Sequence, residues 1–405
     1  MHMSLTPQAK LEMKELELKS LFETIRAINS NASEKDLYKI YKFILRAKPN
    51  ITKLALFVYD ESWECKAYFG TKKNYKDLTL DGKLLELTEI SPVPFEATTF
   101  DEFNTVIPVK HKDQVLAYVL LGGASNQRDA YELEIEFVDA LSNIIIVAIE
   151  NKKLARKELR QRDYNKQLEI ARNVQTLLFP KKLPYDHNLK VAASYLPHHT
   201  IGGDYYDFLD AGEGRYLMCI ADVSGKGIPA AILMSNFQAA LRILTRNGTP
   251  LDAIVNELNY LIFQNAQGEN FITAFFALFD FNKRSLTFVN AGHNPPFLFI
   301  NEHQQRLETG TTILGTFREL PFLEIGHIED LKRFFVFCFT DGFTETYNEK
   351  GEEFGDEYLN KFLEEYKGED QVELHERLIS LLDTFKGDNA YADDITLLSC
   401  RVNFE

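Results

Sequence analysis

Paired cysteines are missing from this sequence. Its four cysteines, Cys65, Cys219, Cys338 and Cys400, lie far apart and form no CxxC motif. Three of them sit in apolar runs, "YLMCIAD", "FFVFCFT" and "LLSCRV". They read as small buried apolar residues in a reducing compartment, which sets aside disulfides and zinc. A basic surplus is missing too. The 45 Lys and Arg face 60 Asp and Glu, a formal charge of −15, which argues against nucleic acid as an electrostatic partner. Long apolar runs are also absent: a run such as "IIIVAI" (Ile144–Ile149) is far too short to span a bilayer. The N-terminal "MHMSLTPQAK" lacks the apolar core of a signal peptide. A cytoplasmic protein without a membrane span is expected.

The charge that is present is uneven. From Glu150 to Lys182 ten Lys/Arg stand against four Asp/Glu, whereas from Glu345 to Glu376 three stand against twelve. The two regions could attract each other within a chain or a dimer, or each could be a solvated face. At 405 residues the chain suits two or three domains, each large enough for a core of its own.

Residues 17–150 read as one α/β unit. In "SEKDLYKIYKFILRA", Ser33 and Asp36 form an N-cap pair, and Leu37, Ile40, Tyr41, Ile44 and Leu45 follow at helical spacing. "KLALFVYDE" and "CKAYFG" are strand-like, and "NTVIPVKHKDQVLAYVLLGG" reads as two strands joined by the turn His111–Gln114. "YELEIEFVDALSNIIIVAIEN" returns to helix. This pattern resembles a GAF domain, a small sensory module, with PAS the nearest rival. A small molecule or a protein contact could be its signal; no haem-ligand or chromophore-cysteine setting is present. Residues 151–184 form a helical connector without Gly or Pro until Pro180. Its apolar positions Tyr164, Leu168, Ala171, Val174 and Leu178 make one seam of about four turns. That seam suits either a homodimer contact or a linker helix docking on its own C-terminal domain.

From about residue 185 to 403 strands dominate: "LKVAASYLP", "RYLMCIADVS", "NFITAFFALFDF", "SLTFVNAGH", "PPFLFI", "RFFVFCFTDG" and "DITLLSCRV". At least three helices lie among them, beginning near Pro229, after Thr249–Pro250 and near Gln371. The expected class is α+β, a sheet sandwich flanked by helices.

Aspartates in four short stretches stand where these strands end. They are Asp204 in "IGGDYYDF", Asp222 in "IADVSGKG", Asp341 in "FCFTDGF", and Asp393 with Asp394 in "ADDIT". An Asp-Gly after a strand is ordinarily a turn, and a doubled Asp is ordinarily solvated. Four such corners in one half of the chain, three of them following apolar strands, suit a set of oxygen ligands for a hard ion such as Mg²⁺ or Mn²⁺.

Together "IGGDYYDF", "ADVSGKGIPAAILMS", "NAGHNPPFL", "FTDGFTE" and "ADDITLL" resemble the metal-dependent PPM (protein phosphatase 2C-like) family, and within it the SpoIIE/RsbU type, over residues 165–403. The resemblance implies a PPM-type β-sandwich and a binuclear Mn²⁺ or Mg²⁺ centre that hydrolyses phosphoserine or phosphothreonine without a protein nucleophile. It implies Asp204, Asp222, the Val223 carbonyl, Asp341 and Asp393 as ligands, with Asp222 as bridge, Asp394 as rival to Asp393, and Asp207 in support. It further implies a phosphorylated STAS-type regulatory protein as substrate, in a partner-switching pathway, with the N-terminal sensor regulating activity through the connector. The rival from another class is a catalytically silent module that sequesters a partner.

Other residues carry blander readings beside functional ones. Gly202, Gly203 and Gly225 would let backbone approach ions or phosphate. Lys226 could contact phosphate, though "SGKG" lacks P-loop spacing. His293 could donate a proton or organise its turn. His198 and His199, adjacent on a strand, would point to opposite faces and so not share an ion. Ser224 reads as structural, and Asp210 as a solvated loop residue.

Overall fold

The computed structural model describes residues 7–80, 82–112, 114–123, 128–198, 201–266, 268–301 and 303–404. The chain divides into two units, Met1–Arg162 and Asp163–Glu405.

The first unit opens with helices α1 (Pro7–Asn29) and α2 (Glu34–Arg46). Ser33 caps α2 as expected: its Oγ accepts from the Asp36 backbone N–H at 3.2 Å and donates to the Asp36 carboxylate at 2.6 Å. Strands β1 (Lys53–Asp60) and β2 (Ser62–Phe69), the short helix α3 (Gly82–Leu85), and strands β3 (Ser91–Pro92), β4 (Thr105–His111) and β5 (Gln114–Gly122) follow. They form one antiparallel sheet in the order β2-β1-β5-β4-β3. Helix α4 runs unbroken over Arg128–Thr176. Its Phe137, Val138, Leu141 and Ile145 pack with Leu37, Tyr41 and Leu45 of α2 on one face of the sheet. The second face carries Phe57, Tyr75, Phe100 and Tyr118. One helix thus runs through the closing helix and into the connector of the sequence reading, since no Gly or Pro interrupts it, but it ends at Thr176, so the rest of the 151–184 connector, with Leu178 of the expected seam, is not helical. Along the expected seam Tyr164 and Val174 are exposed, and Leu168, Ala171 and Leu178 are half-buried.

The second unit is a sandwich of two sheets. One contains β7 (Tyr205–Gly212), β8 (Arg215–Val223), β9 (Ile272–Asp280), β10 (Ser285–Ala291) and β13 (Gly310–Thr311), in the order β13-β10-β9-β8-β7, with β14 (Gly326–Ile328) also paired to β10. The other contains β6 (Leu189–Leu196), β11 (Phe297–Ile300), β12 (His303–Arg306), β15 (Arg333–Phe339) and β16 (Ile395–Asn403), in the order β12-β11-β15-β16-β6. Met218, Ile220, Phe275 and Ala277 meet Val336, Cys338, Leu398 and Cys400 between them. Helices α5 (Ile228–Arg246) and α6 (Leu251–Ala266) cover the first sheet through Met234, Phe237, Val255 and Leu258. Helices α8 (Gly355–Tyr366) and α9 (Gln371–Lys386) cover the second through Leu359, Leu363, Leu374 and Leu378. Between β15 and α8 lies the single turn α7 (Asp341–Thr344).

All four cysteines are buried free thiols. Helix α5 is long and apolar enough to cross a membrane by composition, yet it spends Ala230, Leu233, Met234, Phe237 and Leu241 on the core beneath it. The edge strands β12–β14 and helix α8 went unrecognised in the sequence. The edge strands are short, and α8 sits in the acidic stretch where charge hides the seam formed by Leu359 and Leu363.

Candidate metal centre

Three strands deliver the acidic residues to one end of the sandwich. Asp222 is the penultimate residue of β8, Asp341 follows β15 by two positions, and Asp393 and Asp394 immediately precede β16. Asp204 arrives just before β7. A cavity of about 70 Å³ is lined by Gly202, Gly203, Asp222, Val223, Lys226 and Asp393, with Asp394 also in its wall; Asp204 and Asp341 do not line it.

Asp204 is buried, only 2% exposed. Its Oδ2 accepts from the hydroxyls of Thr340 at 2.9 Å and Thr396 at 2.5 Å. Burial, and then the neighbouring Asp222, push its carboxyl well above the usual carboxylate range. Asp222 is pushed up to about 7, first by burial and then by Asp341 and Asp393, with the contact to Asp204 opposing the rise. Asp341 is also raised, by burial and then by Asp393, while the backbone N–H groups of Gly342 and Asp341 itself relieve it.

The doubled acid divides its roles. Asp394 is buried, and both of its oxygens are committed: Oδ1 accepts from the His198 N–H and Oδ2 from the Gly203 N–H, each at 2.8 Å. It clamps the loop before β7 onto the start of β16. Asp393 is half-exposed at the cavity, 2.9 Å from the Lys226 ammonium. The Lys226 ammonium is raised, first by its hydrogen bond to Asp393, and it also donates to the Ala392 carbonyl at 3.3 Å.

The glycines are required by contact. A Cβ at Gly202 would collide with the Asp394 carboxylate and the Tyr195 hydroxyl. One at Gly203 would lie 2.7 Å from the Val223 carbonyl oxygen and 3.5 Å from Asp222 Oδ1. The bare backbone therefore leaves open the cradle in which that carbonyl and the Asp222 carboxylate sit. Gly225 has φ +90°, the left-handed region that glycine adopts freely.

Among the described residues, no three acidic, histidine or cysteine side chains converge as a ready metal-binding group. The donor set nevertheless fits hard divalent ions. It consists of carboxylates and a backbone carbonyl, and the carboxyls of Asp204, Asp222 and Asp341 are pushed toward protonation by burial and by neighbouring carboxylates. Bound cations would supply the counter-charge that a single lysine does not.

Asp207 is not part of this group. It is buried, accepts from the Tyr205 hydroxyl, and pairs with the Arg242 guanidinium at 2.7 Å. Its spacing from Asp204 on an extended chain turns it to the opposite face. Arg242 in turn donates to the Leu178 carbonyl at 2.7 Å. His293 is buried, its ring lowered to about 4 by burial, with Nδ1 3.0 Å from the Thr273 hydroxyl and its N–H held by Asn290 at 2.8 Å. That is the turn-organising role. Ser224 accepts from the Phe271 N–H at 2.8 Å and is structural. Asp210 is exposed, as expected, but it lies within β7 rather than in a loop: it pairs with Tyr216 of β8 and accepts from the Gly212 N–H at 2.8 Å. His198 contributes its backbone, and His199 lies outside the described residues.

Four contributors went unread in the sequence: Thr340, Thr396, Tyr195 and Gln175. The threonines stand beside the aspartate motifs, in "FTDG" and "DDIT", and a hydroxyl at the end of an apolar strand is the signal that could have found them. Gln175, near the end of α4, donates to the Gly202 carbonyl at 2.8 Å and is buried; nothing local in its helix distinguishes it.

Comparison with solved structures places the second unit in a class. The PP2C domain of SiaA from Pseudomonas aeruginosa superposes with a TM-score of 0.54 at 21% identity, covering 61% of this chain and 99% of that domain. The shared fold is the PP2C fold. Residues 212–403 match the family model of stage II sporulation protein E (SpoIIE). The curated relatives include the phosphoserine phosphatase RsbU of Bacillus subtilis, 33% identical over 185 residues, which are 45% of this chain and 54% of RsbU. The phosphoserine phosphatase RsbP of the same organism is 28% identical over 186 residues, covering 44% of this chain and 45% of RsbP. The chain thus spans about half the length of these relatives. The "IGGDYYDF" corner lies outside the residues that the family model matches.

Proposed function

We propose that this chain is a metal-dependent serine/threonine protein phosphatase. The observation that carries the reading is the set of buried, mutually repelling carboxylates at one end of a PP2C-fold sandwich that matches the SpoIIE family model. Asp204, Asp222, the Val223 carbonyl, Asp341 and Asp393 would hold two Mn²⁺ or Mg²⁺ ions, which supply an activated water and charge neutralisation for phosphoryl transfer. Asp393 is preferred to Asp394 because it is half-exposed at the cavity and accepts one backbone hydrogen bond, from the Asp394 N–H at 2.8 Å, whereas Asp394 is buried with both oxygens on backbone N–H groups.

The chain's own residues do the positioning. Thr340 and Thr396 orient Asp204, whose carboxyl is also in contact with Asp222. Lys226 holds Asp393 at the cavity rim. Gly202 and Gly203 keep side chains out of the space that ions and phosphate require.

The substrate we propose is a phosphorylated regulatory protein of the STAS type, by analogy with the named phosphoserine phosphatases. The N-terminal unit would act as a GAF-like sensor, reporting through α4, whose Gln175 touches the Gly202 corner. A dimer formed along α4 agrees with its exposed Tyr164 and Val174.

Manganese-dependent release of phosphate from a phosphoserine peptide tests the reading. Asp222→Asn and Asp341→Asn should each lose activity by about 10²-fold or more, and calorimetry should show weakened manganese binding. Full activity in both variants would sink the assignment. Intact manganese binding without hydrolysis in the native chain would favour a silent binding module.

A further inference from the structure

The aspartate cavity is small. At about 70 Å³ it has little more than twice the volume that one water occupies in the liquid, about 30 Å³. It has no room for the peptide that carries a phosphoryl group, so the residues around a phosphorylated side chain must rest on the surface beside the mouth. Three exposed apolar side chains stand along one part of that surface.

Ser224, Gly225 and Lys226 form one wall of the cavity. Phe271, 38% exposed, is fastened to this wall: its N–H donates to the Ser224 hydroxyl at 2.8 Å, and its carbonyl accepts from the Ser224 N–H at 2.9 Å. These bonds extend the β8–β9 ladder one position beyond the Val223–Ile272 pair. By the two-residue repeat Phe271 shares a sheet face with Thr273, which stands directly opposite Asp222. Its neighbour Asn270 lies against the turn, with Oδ1 3.4 Å from where a Cβ on Gly225 would stand.

Ile228 follows the same wall by two residues and opens α5. It is 44% exposed, and Ile232, one turn further along the same side of the helix, is 58% exposed. The core beneath α5 is served by Ala230, Leu233, Met234, Phe237 and Leu241, and neither isoleucine belongs to it. Scattered exposed apolar side chains are ordinary. These three collect along the loop that walls one cavity.

We infer that Ile228, Ile232 and Phe271 form an apolar shelf that receives the residues flanking the phosphorylated serine or threonine of a protein substrate. The inference rests on the phosphatase reading and deepens it by naming the substrate class, a phosphosite with large apolar neighbours. Continuity of the shelf with the cavity wall selects this occupant. On an extended chain, the residues one and two positions from a phosphorylated residue lie about 3–7 Å from it, and the shelf begins two residues from Lys226. Apolar neighbours would remove both their own surface and that of the shelf from water, whereas polar neighbours would lose solvation there.

The test uses the full chain with Mn²⁺ and three substrates: p-nitrophenyl phosphate, a phosphoserine peptide with Leu on both sides of the phosphoserine, and the same peptide with Gln in those places, so that charge is constant. The Leu peptide should have a kcat/KM about tenfold above that of the Gln peptide. Ile232→Gln and Phe271→Gln should each remove most of that preference, through KM rather than kcat. Ile243→Gln, at another exposed site on α5 roughly 17 Å beyond Ile232, should retain it. Circular dichroism checks that Phe271→Gln folds; Ile232 faces solvent, and its variant decides the matter if Phe271→Gln does not. Equal kcat/KM for the two peptides, or a preference that survives Ile232→Gln, would overturn the inference and leave the phosphatase reading standing. Hydrolysis of p-nitrophenyl phosphate but of neither peptide would also overturn it. No manganese-dependent hydrolysis of any of the three would overturn the phosphatase reading, and this inference with it. If Ile232→Gln instead lowered the mass of the chain in light scattering and left the preference intact, the shelf would belong to a second copy and the inference would fall.

Discussion

Asp393 and Asp394 are neighbours in the chain, yet the fold gives them different work. Replacing Asp394 by Ala orphans the buried Gly203 N–H and the His198 N–H, so unfolding free energy should fall by about 1–3 kcal/mol in a denaturant titration. Asp393→Asn removes a half-exposed charge beside Lys226. It should leave stability within about 0.5 kcal/mol while weakening manganese binding. The reverse pattern would exchange the two assignments. Buried histidines give a second prediction at this scale. His375 is lowered to about 3 and His293 to about 4 by burial. Each stays neutral in the folded state while the unfolded chain takes up a proton near pH 6.5. The folded pKa is depressed, so stability is fully present above about pH 6.5 and is lost as pH falls toward 4, with a slope of at most about 1.4 kcal/mol per pH unit per histidine. Urea titrations of the native chain and of His375→Phe between pH 7 and 5 should show a shallower acid fall in the variant.

At the scale of elements, the segment around the end of α4 is held within the second unit by Leu178 and Phe179 on the core and by polar side chains. Gln175 reaches the Gly202 carbonyl, and Arg242 of α5 holds the Leu178 carbonyl while pairing with the buried Asp207. Arg242→Met strands Asp207 in the interior, and a loss of about 3 kcal/mol is expected in chemical denaturation. Gln175→Ala should reduce phosphatase activity more than it reduces stability, because it frees the loop that carries Asp204. Unchanged kinetics in that variant would leave the coupling without its contact. This is also where the sequence was least legible. The helices around Leu37, Met234 and Leu378 and the apolar strands were readable because burial imposes a period on them. Gln175, Arg242 and Thr396 have meaning only through partners 27, 35 and 192 positions away, and no local period encodes such a pairing.

For the whole molecule, each unit has its own core, one around the β2-β1-β5-β4-β3 sheet and one within the sandwich. Calorimetric unfolding should therefore depart from a single two-state transition. A chain lacking residues 1–150 should keep manganese-dependent hydrolysis but change in rate or in oligomeric state; if neither changes, regulation by the first unit fails. By itself the sequence determined the chemistry on offer: hard oxygen donors at strand ends, glycines beside them, unpaired thiols, and an α+β sandwich behind a helical connector. Only the tertiary structure decided which acids meet. It turned Asp207 away to Arg242, engaged Asp394 with backbone, and left Asp393 beside Lys226. The physical reason is that hydrophobic periodicity is local, whereas electrostatic partnership is fixed by strand register between distant segments.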